Sequence, residues 1–193
     1  MTNENTFDLV ERCARLGAAT DAASLRELLG LLSHADWHVR FAAAVATGDR
    51  RSPEAVPALL ELLRAEEAAP LFTQPRDMCG LPAGCNDRLT VQLPAGTTDA
   101  TREAWRRRGR VLQAACLALG QIGTAARPAL PYLQRYATDQ KVDYAVRAAS
   151  CKALGLIGDA AALESLARAK DDGEWCTATE ARKAFHVLTA KHV

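Results

Sequence analysis

Apolar positions along the chain recur at three- and four-residue intervals, which predicts helices rather than strands. Leu25, Leu28, Leu29, Leu31 and Leu32 show this spacing, and Val56, Leu59, Leu60, Leu62 and Leu63 repeat it. Thr6–Gly17 and Ala22–Ser33 are predicted as a first pair of helices. Three further segments align as alanine-rich helices: Trp37–Gly48, Val111–Gly120 and Val146–Gly155. Each is expected to end at its glycine, a common helix stop. A weaker fourth copy runs from Thr177 to Phe185. A leucine-rich second helix follows each first one: Ser52–Arg64, Ala126–Tyr136 and Ala160–Lys170. Ser52 is read as an N-cap with Pro53 at the first helical position. Asp36-Trp37, Asp143-Tyr144 and Glu174-Trp175 each place an acid and then an aromatic ahead of a first helix. The acids are expected to cap it and the tryptophans to be structural.

The spacing gives a period. Val111 and Val146 are 35 residues apart, and Val146 and Thr177 are 31. Two helices per unit at such a period mean an α-solenoid. The chain is therefore read as all-α: a single domain over residues 1–193, an α-α superhelix of about four to five helix pairs. Its one break is a long insertion at residues 66–99, between the second and third repeats.

At this point a resemblance is legible. Val146-Arg147 through Ala153-Leu154-Gly155-Leu156-Ile157-Gly158-Asp159 resembles a HEAT repeat of the short bacterial type also found in phycobilisome lyases. Gln121-Ile122-Gly123 keeps the turn of the preceding copy, while Thr47 and Asp49 break it in the first, and Leu112 replaces the pattern's arginine. The resemblance implies that Arg40 and Arg147 are structural, reaching acidic turn residues such as Asp159 in an adjacent layer.

Composition adds the reason for the pattern. About a fifth of the 193 residues are alanine, and isoleucine occurs only at Ile122 and Ile157, which disfavours a sheet domain. Small side chains let first helices stack closely while leucines fill the space between layers. A net charge of +1 excludes a protein that coats DNA by bulk electrostatics. No run of 18 apolar residues occurs, so no membrane helix is expected. The opening MTNENTFDLVER has no signal-peptide character, so a cytoplasmic, reducing setting with free thiols is expected.

The insertion holds four of the eight prolines, with Cys79 and Cys85. Leu89–Leu93 alternates and is read as a short strand. Such a segment is either an ordered decoration or a functional loop. Cys79 and Cys85 are read as free thiols, a small-loop disulfide or a metal or redox pair, in that order. Cys116 and Cys151 fall on a small-residue core position and are read as packing.

Candidate chemistry is sparse. There is no nucleophile elbow and no phosphate loop. His-Glu pairs, which HEAT-fold di-iron hydroxylases use, are absent from the sequence. No catalytic residue, metal ligand or cofactor is assigned, and the chain is read as more in keeping with a non-enzyme. Arg64, Arg135 and Arg168 occupy equivalent ends of second helices, either as last-turn cations that suit the helix dipole or as a ladder. The resemblance implies that such helices line a concave face. Arg102, Arg106, Arg107, Arg108 and Arg110 surround Trp105. Either they precede the third repeat's first helix or that helix starts near Asp99 and contains them.

The leading expectation is a protein-interaction scaffold. Its partner-binding residues would be Phe72, Arg76, Met78 and Arg88 of the insertion, with Tyr132, Arg64, Arg135 and Arg168 of the solenoid. The partner would be a protein or peptide. The alternative is nucleic-acid binding through the Arg102–Arg110 patch, or a HEAT-scaffold enzyme resembling a DNA glycosylase or a bilin lyase.

Overall fold

The computed structural model describes residues 5–68 and 99–191, with the backbone alone described at 99–108 and 191. The first helices are α1 (Thr6–Ala18), α3 (Trp37–Arg50), α5 (Asp99–Ile122), α7 (Tyr144–Ile157) and α9 (Trp175–Lys191). They lie side by side in that order and form one layer. The second helices are α2 (Ala22–Leu31), α4 (Val56–Ala68), α6 (Leu130–Thr138) and α8 (Leu163–Ala169). They form the other layer, and α4, α6 and α8 pack most closely on the first helix of the following pair. The chain is an all-α solenoid, and no strand occurs among the described residues.

The alanines and leucines divide as the pattern predicts. Ala43, Ala44, Ala115, Ala118, Ala153 and Ala181 are buried on first helices, while Leu59, Leu63, Leu133 and Leu166 are buried on second helices. The glycines do something else. Gly48, Gly120 and Gly155 do not end their helices, which run on to Arg50, Ile122 and Ile157. They sit where one first helix meets the next. A Cβ on Gly120 would lie 2.8 Å from the Ala153 backbone, and one on Gly155 would lie 2.8 Å from the Ala184 side chain. Gly17 meets Ala46 and Gly48 meets Ala118 in the same way, each at 2.9 Å. The expected helix stops are thus close-approach positions, and this is what draws the first helices together.

The true stops follow three residues later. Gly158 closes α7 in the left-handed region at φ 78°, and Gly123 follows α5 with the same φ. The first copy has Arg51 there instead, at φ 52°. That conformation costs a residue with a Cβ about 1 kcal/mol. The same copy carries Thr47 where the later ones carry Leu119 and Leu154. Thr47 is buried, and its hydroxyl has no hydrogen-bond partner among the described residues. Ser52 makes no capping bond: Pro53–Ala55 is a 3-10 turn leading into α4.

Two arginines, Arg147 buried and Arg40 half-buried, tie the layers together. The Arg147 guanidinium makes a two-pronged contact with Asp172 at 2.9 Å for each bond, and donates to the Val142 carbonyl at 2.6 Å. Both side chains are 1% exposed. Arg40 pairs with Glu66 at 2.7 Å and donates to the carbonyls of His34 and Ala35. The structural role holds, but the partner is not Asp159. Asp159 receives Arg127 instead, at 2.9 Å. The acid that meets each arginine stands at or just beyond the end of the second helix of the same repeat. Glu66 is therefore a repeat residue within α4.

The caps are partly as expected. Asp36 accepts from the His38 amide at 2.9 Å and Asp143 from the Ala145 amide at 2.6 Å. Before α9, Asp172 accepts from the Glu174 amide at 2.8 Å, which braces the turn ahead of the helix rather than its first turn. Trp37 is half-buried against the core and Tyr144 is buried. Trp175 is 75% exposed, so its expected structural role is not met: its ring stands off the core at the start of α9.

Candidate partner-binding surface

Two helices of the second layer bring three of the sequence-selected residues into contact. Late in α4 the chain reads Glu-Leu-Leu-Arg-Ala-Glu-Glu, so Glu61 and Arg64 fall one turn apart and pair. α6 places Tyr132 half-buried on the same surface. Arg64 Nε donates to the Tyr132 hydroxyl at 2.8 Å, and its guanidinium lies 5.9 Å from the ring centroid. Arg135 lies 5.8 Å from the Tyr132 ring and 5.0 Å from that of Tyr136. Tyr132 is thus flanked by two guanidiniums, Arg64 at its hydroxyl and Arg135 within cation–π distance of its ring.

The lower part of the cluster is anchored. Arg135 and the Tyr136 hydroxyl both donate to Glu67. Tyr136 is buried, and burial together with the Glu67 hydrogen bond pushes its hydroxyl pKa up, so it remains a donor. Arg64 and Arg135 nonetheless keep about half of their side-chain surface exposed, at 53% and 48%. The arrangement is a pre-positioned basic and aromatic surface, suited chemically to an acidic or aromatic side chain of a partner.

Arg168 is exposed at the end of α8, and its side chain has no hydrogen bond or ion pair among the described residues. The expected ladder therefore has two joined rungs and one separate one. α5 starts at Asp99, so Arg102, Arg106, Arg107 and Arg108 lie within the helix rather than ahead of it. Arg110 is exposed, and its charge acts on the buried carboxyl of Asp143. Phe72, Arg76, Met78 and Arg88 lie outside the described residues, as do Cys79, Cys85 and the expected strand Leu89–Leu93. Cys116 and Cys151 are buried, as read from the repeat. Burial pushes both thiols up to about 12, so they are poor nucleophiles.

Sequence reasoning missed Glu61, Glu67 and Tyr136. The i,i+3 spacing of Glu61 and Arg64 was an available signal. Nothing local tells that Glu67 would reach two residues of the next repeat, because that contact depends on how α6 stacks on α4.

A comparison with curated proteins gives no match. Among solved structures the chain is similar to human deoxyhypusine hydroxylase in complex with glycerol, at 21% identity and a TM-score of 0.32, over 98% of this chain and 82% of that one. That likeness is too distant to carry an activity across. Residues 11–71 and 102–185 match the family described as HEAT repeats. With the stacked helix pairs and the recurring Gly-on-Ala contacts, that match over most of the chain identifies it: the protein belongs to the HEAT-repeat family.

Proposed function

We propose that the protein is an interaction scaffold that binds a protein or peptide on its second-helix face. The observation that carries this reading is the Arg64–Tyr132–Arg135 cluster. Three large side chains are held in place by Glu61, Glu67 and Tyr136, yet remain partly open to solvent. Aromatic and arginine side chains fixed before binding lose little entropy on binding, which is why they recur as interface anchors. Arg168 extends the surface, and Phe72, Arg76, Met78 and Arg88 of the insertion complete it in this proposal. The finer likeness to short bacterial, phycobilisome-lyase-type repeats belongs to the same proposal and rests on Val146–Asp159. A cytoplasmic setting is part of the same proposal.

The test is to replace residues 69–98 with a short linker. Glu66 and Glu67 must stay, because they pair with Arg40 and Arg135. The shortened protein is expected to keep its helical signal and lose the proteins that co-purify with the intact chain. An unchanged set of co-purifying proteins would remove the insertion from the proposal.

A second reading, nucleic-acid binding, draws on the helical placement of Arg102, Arg106, Arg107 and Arg108 in α5. It requires DNA binding at low salt that weakens steeply as salt rises. Absence of binding at low salt would end it.

A further inference from the structure

The outer surface of the first-helix layer carries an apolar groove of about 450 Å³ between α1 and α3. Val10, Ala14 and Ala18 line one wall, Phe41 and Val45 the other, and Asp49 stands at one end. Val45 is 42% exposed, and Phe7, on the same helix as the first wall, is 69% exposed.

The register of α1 says what fits it. At 100° per residue, positions 7, 14 and 18 fall almost on one line along the helix, with 11 beside them. The line therefore reads as one large apolar knob, Phe7, followed by a shallow stretch made by Ala14 and Ala18. A surface that carries both a knob and its hole is self-complementary about a two-fold axis. Crossing two α1 helices antiparallel near Glu11 and Ala14 sets Phe7 of each copy over Ala14 and Ala18 of the other, and into the groove.

The charges agree with that direction. Asp8 and Glu11 lie toward the start of α1 and Arg15 toward its end, all three exposed. Within one chain Glu11 and Arg15 are 3.8 Å apart, with side chains 56% and 68% exposed, so both are open to further pairing. Antiparallel crossing brings Glu11 of one copy beside Arg15 of the other, twice. Parallel crossing would set acid against acid and base against base.

We propose that the α1–α3 groove is the seat of a second copy of this chain, α1 against α1 antiparallel. The interface uses the outer side of the first-helix layer and leaves the Arg64–Tyr132–Arg135 surface free, so the two surfaces act independently.

Sedimentation velocity on the full chain from about 1 to 100 µM tests this. The expected result is a concentration-dependent rise from monomer to dimer. Ala14→Arg, which fills the shallow stretch with a long cation, and Phe7→Ala, which removes the knob, should each weaken the dimer at least about tenfold. Circular dichroism melting at a concentration where the wild type is monomeric should be unchanged in both. Arg15→Glu alone should weaken it as well, and the Glu11→Arg/Arg15→Glu exchange should restore it. A monomer over the whole range overturns the proposal. So does a dimer that ignores Ala14→Arg and Phe7→Ala, or an exchange that fails to rescue.

Discussion

In the first-helix layer the closest contacts are glycine against alanine, with Gly120 and Gly155 almost touching the next helix. In the second-helix layer the contacts between repeats are made by long side chains, with Arg64 reaching Tyr132 and Arg135 reaching Glu67. At the seam itself the first arrangement leaves no room for a larger side chain. The second spans a wider gap with groups that keep spare hydrogen-bond donors. In the proposed function, partner recognition falls to this second layer. The difference follows from residue size: a glycine–alanine seam excludes everything else, while arginine and tyrosine bridge a gap and leave their tips in water.

The comparison can be broken at several points. The largest effect is expected where the two layers are tied. Asp172→Asn leaves the Arg147 guanidinium buried without its charge partner and should cost about 3–5 kcal/mol in urea unfolding. Glu66→Gln, at the more open Arg40 pair, should cost clearly less. Equal losses would mean that burial does not set the strength of the two ties.

Next comes the seam itself. Gly120→Ala drives a methyl group to 2.8 Å from the Ala153 backbone and should cost about 1–3 kcal/mol. A neutral Gly120→Ala would show that the first helices slide apart easily.

Acid dependence reads the same tie from another side. Burial pushes the Asp172 carboxyl up, but the Arg147 hydrogen bonds, the Glu174 amide and Gln140 outweigh it and hold the carboxyl below its ordinary value. A carboxyl depressed in the folded state stabilises above its unfolded value, about 4, and loses that contribution as pH falls through the folded one. The stability gap between wild type and Asp172→Asn should therefore be widest near neutral pH and narrow below about pH 4. Asp36, held at about 2 by the Thr6 hydroxyl and the His38 amide, adds to the same acid limb.

The smallest effect is the contrasting glycine. Gly30, in α2 of the second layer, has nothing within 4 Å of an added Cβ. Gly30→Ala should raise stability by about 0.5–1 kcal/mol through helix propensity alone, read as a rise in thermal midpoint. A loss would put a tight contact in the layer described as loose.

The helices, their pairing and the structural role of Arg40 and Arg147 were legible because each is written locally, in periodicity and in the repeated Val-Arg-x-Ala-Ala. The same repetition made Gly48, Gly120 and Gly155 visible but not their purpose, since a stop and a close approach both call for glycine. Partner choice was hidden. Arg147 finds Asp172 rather than Asp159, because Arg147 stands in the first turn of α7 while Asp159 follows the other end of the same helix. Arg64 and Arg135 were visible as a periodic pair. Their sharing of Tyr132 was not, because it arises only when α4 and α6 are stacked.

The most direct test of the division between the layers is to measure one variant twice. Arg64→Ala/Arg135→Ala/Arg168→Ala should melt close to the wild-type midpoint, because exposed ion pairs contribute little. In affinity capture from the native cell it should lose most of what the wild type retains. A variant that captures the same proteins as the wild type, or that unfolds far below it, would contradict the assignment of recognition to the second-helix face.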